Sequence, residues 1–419
     1  MPFFRVLIFT LLNLLVVVSS VLAVADEPEL HVRGGLPGLA ARAATGGELR
    51  VAYLGGSITA AEGWRSLTTA HLRAQFPKLT VVEIAAALPG TGSDLGVCRL
   101  GYDVLRHRPD LLFVEFAVND TGTPAEQIER TMEGIVRQTW RVLPRTDICF
   151  VYTVSTPGLP DLQAGRFPPA ARAMENVAAH YRIPTLHFGV EVARQLAAGS
   201  LIFKQPAAPA DARTFSLDGV HPTPAGHRVY FATLERSLPA LLAAETPRPE
   251  ALPAPLRADN WEGAGLRLFD TLKSTGTWDA VSLDDPNLAG ATKALLPPTR
   301  RTAEPGAAVE LEFAGTRVGL LGIAAPDSGE FRVTVDDLAP VTGTFFDFYV
   351  SPTFCRQRTW FYPGELAAGP HRVRVELLDT KLDKAAIKTQ GERPLADPAP
   401  YAPQRLTLCG ALVIGPPAP

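Results

Sequence analysis

The sequence predicts a doubly wound α/β domain followed by a smaller all-β domain, a sandwich or jelly roll. Three observations carry that prediction. Short apolar runs alternate with amphipathic stretches from residue 48 to about residue 243. A Pro-rich segment, Glu245 to Pro255, then interrupts the chain. Beyond it the helical period gives way to strict alternation of apolar and polar residues.

The chain opens with Arg5 and an almost wholly apolar run from Val6 to Val21, followed by small residues at Ala23 and Ala25. This pattern predicts a cleaved signal peptide over residues 1–25. The run is slightly short for a membrane span, so a secreted or periplasmic protein without a stable membrane anchor is expected. Residues 26–47 lead into the first domain. Its strands are read at Arg50–Leu54, Leu79–Ile84, Leu111–Phe116, Ile148–Tyr152 and Pro184–Phe188, runs short and apolar enough to be buried on both faces of a parallel sheet. The clearest helix starts at Thr123-Pro124-Ala125-Glu126, read as a capping box, and carries Ile128, Met132, Ile135, Val136, Thr139 and Leu143 on one face. Another places Ala171, Met174, Val177, Ala178 and Tyr181 together. Residues 244–257 form the linker, and residues 258–419 the β domain. Its strands are read at Val309–Phe313, Phe331–Val335 and His371–Leu377, with turns at Ala314-Gly315 and Asp336-Asp337.

A formal charge of −3 over 419 residues gives no basic footprint for nucleic acid. Four cysteines (Cys98, Cys149, Cys355, Cys409) are too few and scattered for a disulfide scaffold or zinc site. Cys149 reads as a buried thiol. Cys355 and Cys409 share the second domain and either pair in an oxidising compartment or stay free.

Four short motifs carry the chemistry, and each has a bland reading beside the functional one. Gly55-Gly56-Ser57-Ile58 follows the first strand, placing a serine either as an exposed nucleophile or as a helix cap. Gly90 in Pro89-Gly90-Thr91-Gly92 follows the second strand and either presents a backbone N–H or simply turns the chain, with Gly92 an alternative donor. Asn119 in Val118-Asn119-Asp120 follows the third strand, offering a neutral side-chain donor or an Asx turn. Asn119-Asp120-Thr121 is also a glycosylation sequon, discounted because a glycan would block the site. Asp218-Gly219-Val220-His221 precedes the last helix, a spacing that lets the carboxylate fix the imidazole tautomer. His227, inside that helix, reads as structural. What distinguishes the motifs is their order, since each falls at the carboxyl edge where an α/β sheet builds its site.

In these motifs the first domain resembles the SGNH, or GDSL, hydrolases, whose flavodoxin-like fold it would share. The resemblance implies Ser57 as nucleophile, His221 as general base and Asp218 as its orienting partner. The N–H groups of Ser57 and Gly90 and the Asn119 side chain would form the oxyanion hole. One departure stands out: the family's usual Asp before the serine is Gly56 here. The implied reaction is a two-step acyl transfer that needs no metal or cofactor and slows as His221 takes up a proton.

An appended β domain on an exported chain suggests an ester substrate on a glycan, most simply an acetyl group. Trp261, Trp278, Tyr349, Trp360 and Tyr362 then become sugar-stacking faces, or else core aromatics. Trp64 either walls an acyl pocket or packs its helix. The alternatives are a lipase or lysophospholipase and a non-catalytic carbohydrate-binding protein.

Overall fold

Five parallel strands of the first unit pair in the order the site requires. The computed structural model describes residues 27–205, 212–244 and 251–416, so the expected signal peptide and residues 245–250 of the linker lie outside the described residues. The strands are β1 (Leu30–His31), β2 (Gly47–Gly55), β3 (Leu79–Ala87), β4 (Leu111–Glu115), β5 (Asp147–Tyr152) and β6 (Thr185–His187). They pair in the order β1-β6-β5-β4-β2-β3, all parallel except β1, a short antiparallel edge that the sequence reading missed. The chain reverses direction across the sheet between β2 and β4, the crevice where such sheets hold ligands.

Helices cover both faces. They are α1 (Pro37–Thr45), α2 (Ser57–Ala60), α3 (Trp64–Gln75), α4 (Ser93–Asp103), α5 (Ala125–Val142), α6 (Leu159–Gln163), α7 (Pro169–Tyr181), α8 (Phe188–Ala197) and α9 (Pro224–Leu242). Strand alternation sorts the core. Ala52, Leu54, Leu112, Val114, Ile148 and Phe150 pack under α4, α5 and α7. Val51, Tyr53, Leu111, Phe113 and Val151 pack under α1, α3, α8 and α9. Trp64 is fully buried against Tyr53, Phe113 and Phe188, so it packs its helix and walls no acyl pocket. The capping box also fails. Pro124 occupies the cap position of α5, which leaves Thr123 one residue too early and Glu126 exposed. Two small strands, β7 (Ile202–Lys204) and β8 (Thr214–Ser216), pair beside the last loop.

The second unit is two antiparallel sheets face to face. Its strands are β9 (Gly263–Leu268), β10 (Lys273–Thr275), β11 (Asp279–Ala280), β12 (Arg300–Thr302), β13 (Ala308–Gly315), β14 (Arg317–Ala324), β15 (Glu330–Val335), β16 (Val341–Thr344), β17 (Arg356–Phe361), β18 (Gly369–Leu377) and β19 (Leu406–Gly415). The outer sheet runs β10-β13-β18-β15-β16, and the inner β11-β12-β19-β14-β17 with β9 also on β19. The outer sheet turns Val309, Leu311, Val333 and Val375 inward. It leaves Glu310, Arg332, Arg374 and Glu376 outside as a charged ladder. In the inner sheet β14 and β19 are buried on both sides. Leu408, Ala411 and Val413 face the sandwich core, whereas Cys409, Leu412 and Ile414 face the core shared with the first unit. A bulge opposite Leu321 and Gly322 switches the faces.

All four cysteines are free and buried. Cys409 lies 3.3 Å from the Thr299 hydroxyl and Cys355 donates to Ser351 O, so Cys355 and Cys409 do not pair.

The units are fastened along α5. Glu133 accepts the backbone N–H groups of Leu256 and Arg257, and Arg137 donates to Pro253 O and pairs with Glu262. The described part of the Pro-rich segment is therefore pinned to the helix rather than a free spacer. Gly134 is required here, because a Cβ would sit 2.7 Å from the Trp261 backbone. Among the described residues, no helix is long and apolar enough to cross a membrane.

Candidate active site

Strand β2 ends at Gly55, and the chain turns at once into the short helix α2, so Ser57 stands at the carboxyl edge of the sheet. The loop between β8 and α9 brings the Asp-Gly-Val-His motif to the same edge. Ser57 Oγ lies 2.8 Å from His221 Nε2, and His221 Nδ1 lies 2.7 Å from Asp218 Oδ2. The three residues, 164 positions apart at their widest, form one hydrogen-bonded line.

The carboxylate sets the direction of that line. Asp218 Oδ1 accepts from the backbone N–H groups of Val220 and His221 at 2.8 Å each and from the Ser216 hydroxyl at 3.0 Å. Partial burial pushes its carboxyl up, but the donors from the His221 ring, His221 and Val220 N–H and Ser216 outweigh it and hold it well below the usual carboxylate range. An ionised carboxylate requires a proton on Nδ1, which leaves Nε2 bare to accept from the serine. The side chains of Asp218 and His221 are 54% and 52% exposed, so this is an open rim and not a tunnel.

The two loops read as oxyanion donors converge beside it. Gly90 has φ +70, a backbone that favours glycine. Asn119 lies against the nucleophile turn: a Cβ on Gly56 would fall 1.9 Å from Asn119 Oδ1. Position 56, with φ −93, is ordinary in backbone, so glycine is demanded there by space alone. Asp120 Oδ1 accepts the Ser93 N–H at 3.0 Å and ties the Gly90 loop to the Asn119 loop. Gly92, the alternative donor, is packed against that same carboxylate. His227 is buried in α9 and its Nδ1 accepts the Trp64 N–H, a structural contact.

A cleft of about 330 Å³ runs outward from Gly90 and Asn119. One wall carries Gln127 from α5, and the other carries Trp261, Arg317 and Thr359 from the second unit. Arg317 lies over the Trp261 and Phe361 rings. Arg356 reaches nearer still, with Nε 3.7 Å from where a Gly90 Cβ would be. Of the other aromatics offered as stacking faces, Trp278, Trp360 and Tyr362 pack within the second unit, and Tyr349 is 46% exposed. A larger depression of about 680 Å³ lies at the opposite, amino-terminal edge of the sheet, remote from Ser57 and His221.

The sequence reading passed over Ser216, Asp120 and Glu115. Asp120 stood inside the Val118-Asn119-Asp120 motif without a role, and Glu115 was the one charge in the apolar run Leu111–Phe116.

Residues 53–229 match the GDSL-like Lipase/Acylhydrolase family, a span that contains Ser57, Gly90, Asn119, Asp218 and His221. A two-domain esterase (CEX) active on acetylated mannans aligns over 92% of this chain and 97% of its own, at 20% identity and a TM-score of 0.71. Its co-crystal with mannopentaose aligns equally well, with the same TM-score of 0.71. A catalytic mutant of an acetylxylan esterase from Geobacillus stearothermophilus aligns over 49% of this chain and 98% of its own, at 17% identity and a TM-score of 0.39. No curated protein matches the chain by sequence. The likeness to the two-domain esterase shows that the arrangement of both units is shared.

Proposed function

We propose that this chain, whose residues 53–229 form a GDSL-like lipase/acylhydrolase domain, is an exported serine esterase that removes acetyl groups from a polysaccharide or oligosaccharide. The observation that carries the reading is the line from Ser57 through His221 to Asp218. Ser57 Oγ attacks the ester carbonyl while His221 Nε2 takes its proton. The oxyanion rests on the N–H groups of Ser57 and Gly90 and the Asn119 amide. His221 protonates the leaving alcohol, then activates the water that releases acetate.

Two features support a glycan over a lipid. The rim is open, as an ester on a polymer needs, and the cleft beside it is lined by Gln127, Arg317 and Thr359 rather than by an apolar channel. The shared architecture with an esterase active on acetylated mannans supports the same substrate class. Export rests on the leader sequence, residues 1–25.

The test is acetate release from a panel of acetylated mannans, xylans and pectins, beside p-nitrophenyl esters of increasing chain length. We expect release from at least one polysaccharide and acetyl esters cleaved about tenfold or more faster than octanoyl. Faster octanoyl cleavage would turn the assignment to a lipase.

Gly56 yields a sharper prediction. Gly56→Ala puts a methyl group where the Asn119 carboxamide lies, so that donor must move. Loss of one oxyanion donor should lower kcat on p-nitrophenyl acetate by roughly 10²-fold. A rate within threefold of wild type would show that Asn119 does not hold the oxyanion.

A further inference from the structure

Strand β4 delivers one charged side chain to the heart of the sheet. Glu115, its last residue, is fully buried, and its carboxylate meets no cation among the described residues. Burying an unpaired carboxylate is costly, and an apolar residue would fill the same space more cheaply. Here two hydroxyl donors offset the cost. Oε2 accepts from Thr59 Oγ1 at 2.8 Å and Oε1 from Thr153 Oγ1 at 2.6 Å. Burial pushes the carboxyl up, and these donors oppose the rise.

The donors come from the two sides of the reaction. Thr59 lies two residues after Ser57 in the nucleophile turn. Thr153 begins the loop after β5, which runs on to the base. In that loop Thr156 N–H donates to Gly219 O at 2.8 Å, and Thr156 Oγ1 reaches the same oxygen at 3.1 Å. Gly219, at φ +86, lies between Asp218 and His221, and a Cβ there would strike Thr156 Oγ1. Tyr230 of α9 fastens the same loop by accepting the Val154 N–H at 3.0 Å.

We infer that Glu115 is a positioning residue whose carboxylate ties the turn that carries Ser57 to the loop that backs His221. The inference rests on the reading of Ser57 and His221 as the reacting pair. Its two oxygens let one carboxyl group hold both hydroxyls at once, which an apolar residue cannot do. Relaxing the tie lets the hydroxyl and the imidazole drift apart, and a shift of about 1 Å is enough to cost roughly 10²-fold in rate.

The experiment compares Glu115→Gln with the double variant Thr59→Val, Thr153→Val, whose side chains keep their shape and lose their hydroxyls. Active sites are titrated with a fluorophosphonate, so only folded, reactive enzyme is counted, and kcat and KM are read on p-nitrophenyl acetate. The double variant should lose about tenfold or more in kcat per titrated site, with KM within twofold of wild type. Glutamine keeps an oxygen to accept from one threonine hydroxyl and an NH₂ to donate to the other, so it should stay within about tenfold of wild type. Glu115→Leu, which can accept nothing, should fall furthest, by about 10²-fold. Full kcat per site in the double variant, or a loss confined to KM or to the number of titratable sites, overturns the inference. If wild type itself does not label, it is the esterase assignment that fails.

Discussion

Alanine at position 57 should lower kcat on p-nitrophenyl acetate by roughly 10⁶-fold and abolish fluorophosphonate labelling, with the melting temperature unchanged. The size of the effect follows from the geometry. Among the described residues, Ser57 Oγ has one side-chain partner, the imidazole nitrogen 2.8 Å away, and no other hydroxyl is bonded to that nitrogen. Without Oγ there is no acyl-enzyme, and what remains is water acting beside the oxyanion donors. Stability should hold because the side chain is small and partly exposed. Near-infrared or gel detection of the label, read against circular dichroism, separates loss of chemistry from loss of fold. Residual activity above about 1% would place the nucleophile elsewhere, against the expectation from this site. A wild-type protein that neither hydrolyses nor labels would instead favour a binding protein on a hydrolase scaffold.

The first unit was legible because most of its strands are buried on both faces, β4, β5 and β6 throughout and β2 from Val51 on. All five runs read from composition became β2 to β6, since continuous apolar stretches bounded by turns have few other uses in a chain of this kind. The second unit was half legible for the opposite reason. Only strands with one wet face alternate, and the three that were read, Val309–Phe313, Phe331–Val335 and His371–Leu377, all lie in the outer sheet. Strands β14 and β19 are covered by the sandwich core on one side and by the core shared with the first unit on the other, so their apolar runs show no alternation. Contact between the units erased the pattern.

The site divides along the same line. Ser57, Asn119, Asp218 and His221 stood out because turn motifs place them in order along the chain. Glu115 did not, because its meaning depends on Thr59 and Thr153 meeting it from the nucleophile turn and from the loop after β5. Gly56 was read as a departure of unknown consequence. In space it is the room that the Asn119 carboxamide occupies, which no one-dimensional pattern records.

Asparagine at position 218 should be the next most damaging change, lowering kcat by about 10⁴-fold while leaving KM close to wild type. The reason lies in the oxygen that faces away from the ring. Oδ1 already accepts from Val220 N–H, His221 N–H and the Ser216 hydroxyl, so an asparagine must keep its carbonyl oxygen there. Its NH₂ then faces His221 Nδ1 and compels that nitrogen to accept. The proton moves to Nε2, which now points a donor at Ser57 and can no longer take the serine proton. Asp218→Ala removes the orienting group without imposing the wrong tautomer, so it should be less damaging than asparagine if tautomer control dominates. Labelling rates should fall in step with kcat, because the fluorophosphonate needs the same activated hydroxyl. Hydrolysis by Asp218→Asn within tenfold of wild type would mean that the carboxylate does not set the imidazole, and that His221 reaches Ser57 by some route other than the line of hydrogen bonds traced here.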